Sequence, residues 1–142
     1  LMNAYFVTCT GYDVDEDGNV TCVYATYDPE SRGGNSPDGR KVRGTIHWVS
    51  AKTAKKAEIR LYENIVDEEK GVYNEDGSIN VNPNSLTVIK EAYVEPELEK
   101  YDKGDSFQFM RTGYFCLDSK DSTKEHMVFN RIVSLKSSYK PN

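Results

Sequence analysis

Turn-forming residues interrupt this chain roughly every ten positions, and the runs between them are short and rich in β-branched and aromatic side chains. Residues 15–19 read D-E-D-G-N, residues 28–39 read D-P-E-S-R-G-G-N-S-P-D-G, residues 74–77 read N-E-D-G and residues 82–84 read N-P-N. Such punctuation leaves no room for a long helix. The one stretch of strong helix formers, A-K-T-A-K-K-A at residues 51–57, allows about two turns at most. What remains is room for about seven or eight strands, and the pattern predicts an all-β chain, an antiparallel sandwich or β-barrel with at most one or two short helices.

The strand candidates can be placed in order. Residues 3–14 and 20–27 flank the D-E-D-G-N signal, which favours a tight hairpin. Asp13, Asp15, Asp17 and Gly18 imitate the start of a calcium loop, but Tyr24 stands where a bidentate glutamate is needed and the flanks are strands, so calcium binding is not expected. Residues 28–39 form a loop, and residues 40–50, R-K-V-R-G-T-I-H-W-V-S, pass from basic residues into a β-rich run carrying the only tryptophan, Trp48. Residues 51–57 are the one short helix expected. Residues 58–66 return to alternation, with Ile59, Leu61 and Ile65 inward. Residues 67–85 are acidic and turn-rich, residues 85–93 a short strand, residues 95–106 a charged connection, residues 127–135 the last substantial strand, and residues 137–142 a frayed tail.

The length of 142 residues suits one domain, or two very small ones sharing a core. Hydrophobic residues make up only 37%, but the 10 tyrosines, 5 phenylalanines and 1 tryptophan supply large buried areas. No apolar run approaches the roughly 20 residues needed to cross a bilayer, and the N-terminus lacks the order of a signal peptide. The chain opens at Leu1 inside a strand-like pattern without an initiator Met, and reads as a segment of a longer protein. Cys9, Cys22 and Cys116 are odd in number and lack C-x-x-C spacing, which argues against a disulfide framework or a zinc site and fits a reducing cytoplasm. His47 and His126 are too few for a metal site, and neither has the neighbours of a nucleophilic triad, so no metal and no catalytic residue is expected.

A net charge of -5 is the wrong sign for a generic nucleic-acid binder, but the charge is unevenly spread. Residues 40–60 and 106–142 are basic, while the acidic surplus lies in residues 1–39 and 61–105. Because screening acts over roughly 8 Å at physiological salt, a local basic face holds phosphates despite acid elsewhere. Charge runs of this kind equally serve to solvate a surface.

Residues 107–131, F-Q-F-M-R-T-G-Y-F-C-L-D-S-K-D-S-T-K-E-H-M-V-F-N-R, combine the features of a pocket for a flat polar ligand. Phe107 and Phe109 alternate, Gln108 and Arg111 put an amide and a guanidinium three positions apart, and the chain then turns through Gly113 into another apolar run. A nucleobase requires that mixture of rigid strand and planar hydrogen-bonding groups. The same two side chains suit the solvent face of any strand.

Taken together, N-A-Y, T-Y-D (residues 26–28), D-G-R-K-V-R-G-T-I-H-W-V-S (38–50), E-I-R-L-Y (58–62), F-Q-F-x-R-x-G-Y-F-C-L-D-S (107–119) and F-N-R (129–131) resemble the C-terminal anticodon-binding region of glutaminyl-tRNA synthetase, a class I aminoacyl-tRNA synthetase. The resemblance spans residues 1–136 and implies two β-barrels in series, similar to the barrel of a ribosomal protein family, with this chain holding one barrel and the returning strands of the other. It also implies a separate N-terminal catalytic domain that uses ATP. The family's H-I-G-H and K-M-S-K-S types of motif are absent from this chain, which therefore needs no cofactor of its own.

By the same resemblance, Gln108 and Arg111 hold the central uridine of the glutamine anticodon, and Lys136, shortly after F-N-R, approaches the anticodon stem-loop. Family members place arginines near the N-A-Y strand for the first anticodon base, whereas position 2 here is Met2. Arg40, Lys41 and Arg43 are phosphate candidates from charge alone. The implied partners are the anticodon loop of glutamine tRNA and the catalytic domain of the same parent chain, with no membrane and as a monomer. Two other readings share the features: the equivalent region of a glutamyl-tRNA synthetase, and a stand-alone barrel that binds a protein or ribosomal RNA.

Overall fold

A computed structural model describes residues 1–66 and 70–135 of the chain. The fold is all-β, with seven strands and two short 3-10 helices among these residues, and it divides into a unit of residues 1–48 and a unit of residues 49–142.

In the first unit, β1 (Val7–Val14) pairs antiparallel with β2 (Val20–Tyr27). The Asp-Gly signal makes the turn, as the sequence predicts. Gly18 takes φ 83, its amide donates to the Asp15 carbonyl at 3.1 Å, and the Asp15 carboxylate accepts from the amides of Asp17 and Asn19. Asp15 is thus occupied in closing the hairpin. Its carboxyl is held below the ordinary range, first by the side chain and then by the amide of Asn19. After β2, Asp28 caps the 3-10 turn Pro29–Ser31 by accepting from the Glu30 amide. Ser31 is buried there, donating to the Asp28 carbonyl and accepting from the Phe6 amide at 2.8 Å.

Residues 40–50 form no strand, against expectation. Gly44 adopts φ 83, which interrupts an extended run, and the segment is tied down at single points: the Met2 amide donates to the Ile46 carbonyl and Trp48 Nε1 to the Met2 carbonyl, both at 2.9 Å. The expected helix over residues 51–57 also gives way. The Ser50 carbonyl accepts from the amides of Thr53 and Ala54 in one turn, and the strand β3 (Lys55–Tyr62) begins directly. A stretch this short cannot repay helix nucleation, whereas extending it buries Ala57 in the core.

The second unit is an open sheet of order β4-β3-β7-β6-β5, made from β3, β4 (Leu86–Val94), β5 (Ser106–Phe109), β6 (Gly113–Leu117) and β7 (Met127–Ser134). Neighbours are antiparallel except β3 and β7, which run parallel from Ala57↔Met127 to Arg60↔Asn130. Neither sheet closes among the described residues, so the antiparallel barrel expected from sequence is realised there as an open sheet with one parallel pair.

Alternation turns Ile59 to the core and leaves Leu61 packed against it, as predicted, and brings in Ala57 from the stretch expected to be helical, but β3 ends at Tyr62 and Ile65 is exposed. Leu98 joins the core from the 3-10 turn Pro96–Lys100, inside the charged connection. Met127, Val128 and Phe129 are all buried, because the loop after β6 covers the far side of β7. There the Asp118 amide donates to the Val128 carbonyl at 2.8 Å and the buried Ser122 hydroxyl accepts from the Val128 amide. A parallel central strand is ordinarily covered on both faces, and this loop does the covering.

Candidate nucleic-acid interface

The hairpin of β5 and β6 is built on an aromatic base. Phe109 stacks on Phe115 with ring centres 4.5 Å apart and meets Phe129 edge-on at 5.2 Å, while Phe107 lies between Tyr101 and Phe129. With Phe107 and Phe109 facing the core, the two-residue period of a strand sends Gln108 outward, opposite Tyr114. Both Gln108 and Arg111 are exposed, and both belong to the turn end of this hairpin.

The turn itself lies one step earlier than the sequence indicates. Met110, Arg111 and Thr112 connect the strands, the Thr112 amide donating to the Phe109 carbonyl at 2.9 Å, and Arg111 takes the left-handed backbone at φ 66. Gly113 is not the turn residue. It is buried at the start of β6, where an added Cβ would lie 2.8 Å from the Val133 carbonyl oxygen. Glycine is needed there for a close backbone approach, and the turn gives its positive-φ position to an arginine instead.

On the same outward side of the sheet, at β3 and the loop after β6, lies a compact charge network. Asp118 accepts from the amides of Lys120 (2.8 Å) and Asp121 (2.6 Å) and from Asn130 Nδ2 (2.6 Å). Arg60 donates to Glu58 at 2.7 Å and to Asp121 at 2.6 Å, and Arg131 holds the Tyr62 carbonyl and the Glu63 carboxylate. The F-N-R block is therefore structural in each residue described: Phe129 is core, Asn130 binds Asp118, and Arg131 pins the end of β3.

The Asp121 amide, then Asn130, lowers the Asp118 carboxyl to about 2. A folded-state pKa below the unfolded one gives stability that is complete above about pH 4 and drains as pH falls towards about 2. Urea denaturation of the chain and of Asp118→Asn is expected to show a difference of roughly 1–2 kcal/mol near neutrality that shrinks through that acid window. A difference constant with pH would show that the carboxylate charge contributes nothing.

In the first unit, Arg40, Lys41 and the backbone of Gly33, Gly34 and Gly39 line a cleft of about 650 Å³. Arg40 is engaged: it pairs with Asp28 and Asp38 and lies over the Phe6 ring. Lys41 and Arg43 are exposed, with no ion-pair partner among the described residues. Lys136 lies outside the described residues. Also among the described residues, no group of three or more His, Cys, Asp or Glu is placed to hold a metal, and no helix is long and apolar enough to cross a membrane.

The sequence model of the family described as "tRNA synthetases class I (E and Q), anti-codon binding domain" matches residues 45–118, just over half of the chain. The chain belongs to this family. Among its relatives, a glutamine–tRNA ligase of Clostridium kluyveri is 54% identical over 142 residues, 99% of this chain and 25% of the relative. That of Clostridioides difficile is 47% identical over 146 residues (99% and 26%), and that of Vibrio vulnificus 46% over 139 residues (98% and 25%). This anticodon-binding domain thus spans about a quarter of the length of the curated relatives it matches. The family match contains Gln108, Arg111 and the whole β5–β6 hairpin, and stops before β7. Tyr114, which shares the outer face with Gln108, was not singled out from sequence, although alternation with the buried Phe115 and Leu117 carries the signal.

Proposed function

We propose that this chain is the anticodon-reading part of a glutamine–tRNA ligase, and that Gln108 and Arg111 hold the central uridine of the glutamine anticodon. The observation that carries the reading is the placement of an exposed amide and an exposed guanidinium at one end of a hairpin backed by stacked phenylalanines. A uracil edge offers two carbonyl acceptors around one N–H donor, so a carboxamide supplies the complementary pair and a guanidinium takes an oxygen or a neighbouring phosphate. The backbone at φ 66 fixes where the Arg111 side chain leaves the turn.

Lys41 and Arg43 serve as phosphate contacts, Arg40 joins them by exchanging its carboxylate partners for phosphate, and Lys136 approaches the stem-loop. Activation of glutamine with ATP belongs to a catalytic domain elsewhere in the same parent chain, which acts in the cytoplasm. The role of this part is to report anticodon identity to that domain.

The test is binding of glutamine tRNA, and of the same tRNA with its central anticodon uridine changed to cytidine, by the full-length enzyme and its variants. Arg111→Ala and Gln108→Ala are each expected to remove about 1–3 kcal/mol of discrimination between the two RNAs. Arg111→Gly should lose as much discrimination while relieving the left-handed backbone, so that its folding stability rises by about 0.5–1 kcal/mol. Equal weakening toward both RNAs would make the residue a phosphate contact and sink the base-reading role.

A further inference from the structure

We propose that Tyr114 is the stacking platform for the base that Gln108 and Arg111 hold, so that the site reads the planarity of the base as well as its edge; this rests on the reading above. Tyr114 lies directly opposite Gln108 across the β5–β6 ladder, and directly opposed residues share a face with their Cβ atoms about 4.5–5.5 Å apart. Tyr114 is 43% exposed although the neighbouring Phe115 is buried. Among the described residues it stacks on no other ring, whereas Phe107, Phe109, Phe115 and Phe129 are used in the core. On β7 its register partner is Val133, also exposed, and Met110 in the turn is exposed too.

The outward side of this sheet therefore changes character from one end to the other. At β3 it bears the Arg60, Glu58 and Asp121 network, whose charges satisfy one another. At β6 it bears an open aromatic ring with an aliphatic neighbour, beside the amide of Gln108. An unpaired base offers two apolar faces and a polar edge. A platform under one face and planar groups at the edge are what single-stranded RNA recognition combines.

Dihydrouridine separates stacking from edge recognition, because it keeps both carbonyls and the N–H of uracil but its saturated ring is puckered. Full-length enzyme is assayed against glutamine tRNA carrying uridine, dihydrouridine or cytidine at the central anticodon position. The enzyme is expected to bind the uridine form roughly tenfold more tightly than the dihydrouridine form, within the range for one base stacked on one aromatic side chain. Tyr114→Leu should abolish that preference and Tyr114→Phe should keep it. If the enzyme binds uridine and dihydrouridine tRNA equally, or if Tyr114→Leu retains the preference, the stacking role is overturned. Uridine-over-cytidine discrimination in Gln108→Ala and Arg111→Ala tells the two failures apart. Its loss alongside indifference to dihydrouridine removes only the Tyr114 role, and its persistence in both variants removes the base-reading site itself.

Discussion

Replacing Phe129 by alanine is expected to cost the second unit about 3–5 kcal/mol, the range for deleting a fully buried phenylalanine and leaving its cavity. Phe129 has 0% exposure and sits where the rings of Phe107 and Phe109 converge. It also lies within the β7 segment that pairs with β3, opposite Ile59, so its loss loosens both the central ladder and the floor of the hairpin. Urea unfolding followed by amide exchange in β6 and β7 measures the loss. Phe107→Ala, at a half-buried position, should cost less. Equal effects would mean that the core is not centred on Phe129.

The second large effect is expected at Gly113. Gly113→Val should destabilise by about 3 kcal/mol, the upper end of the ordinary cost of overpacking, because its Cβ alone would come within 2.8 Å of a backbone oxygen. The atom that must move belongs to β7, at Val133, so the strain is passed into the ladder between β6 and β7. Gly113→Ala should show a smaller loss in the same direction. Amide exchange at Val133 and Ser134 should accelerate in both variants. A valine variant as stable as the parent would mean that β6 and β7 separate at no cost.

Much of the strand pattern was legible because it is local. The Asp-Gly hairpin, the alternation of Ile59 and Leu61, and the apolar run of β7 all follow from side-chain period and turn chemistry. Pairing is not local, and there the reading failed. Residues 40–50 have strand composition but, with Gly44 in the left-handed region, form no ladder, and composition does not report whether a partner edge is present. Residues 51–57 have helix propensity, yet the burial of Ala57 in β3 outweighs it. Leu98, one apolar residue among acids, shows its value only where the core is closed over it. In the candidate site, the residue types of Gln108 and Arg111 spoke for planar recognition, but glycine drew the expected turn to position 113. A positive-φ arginine goes against residue preference, so the true turn carried no local signal.

The parallel ladder between β3 and β7 also fixes an order of events in folding. It joins Ala57 to Met127, about seventy positions apart, whereas β5 and β6 are joined through a turn of three residues. Local hairpins close in microseconds, while a contact across so long a separation must first meet the entropy of closing the loop. On a ribosome, β3 and β6 would each wait with an open edge until β7, the last of these strands to be made, enters between them. The strand that seals the sheet is therefore also the one whose absence leaves two open edges as templates for mispairing.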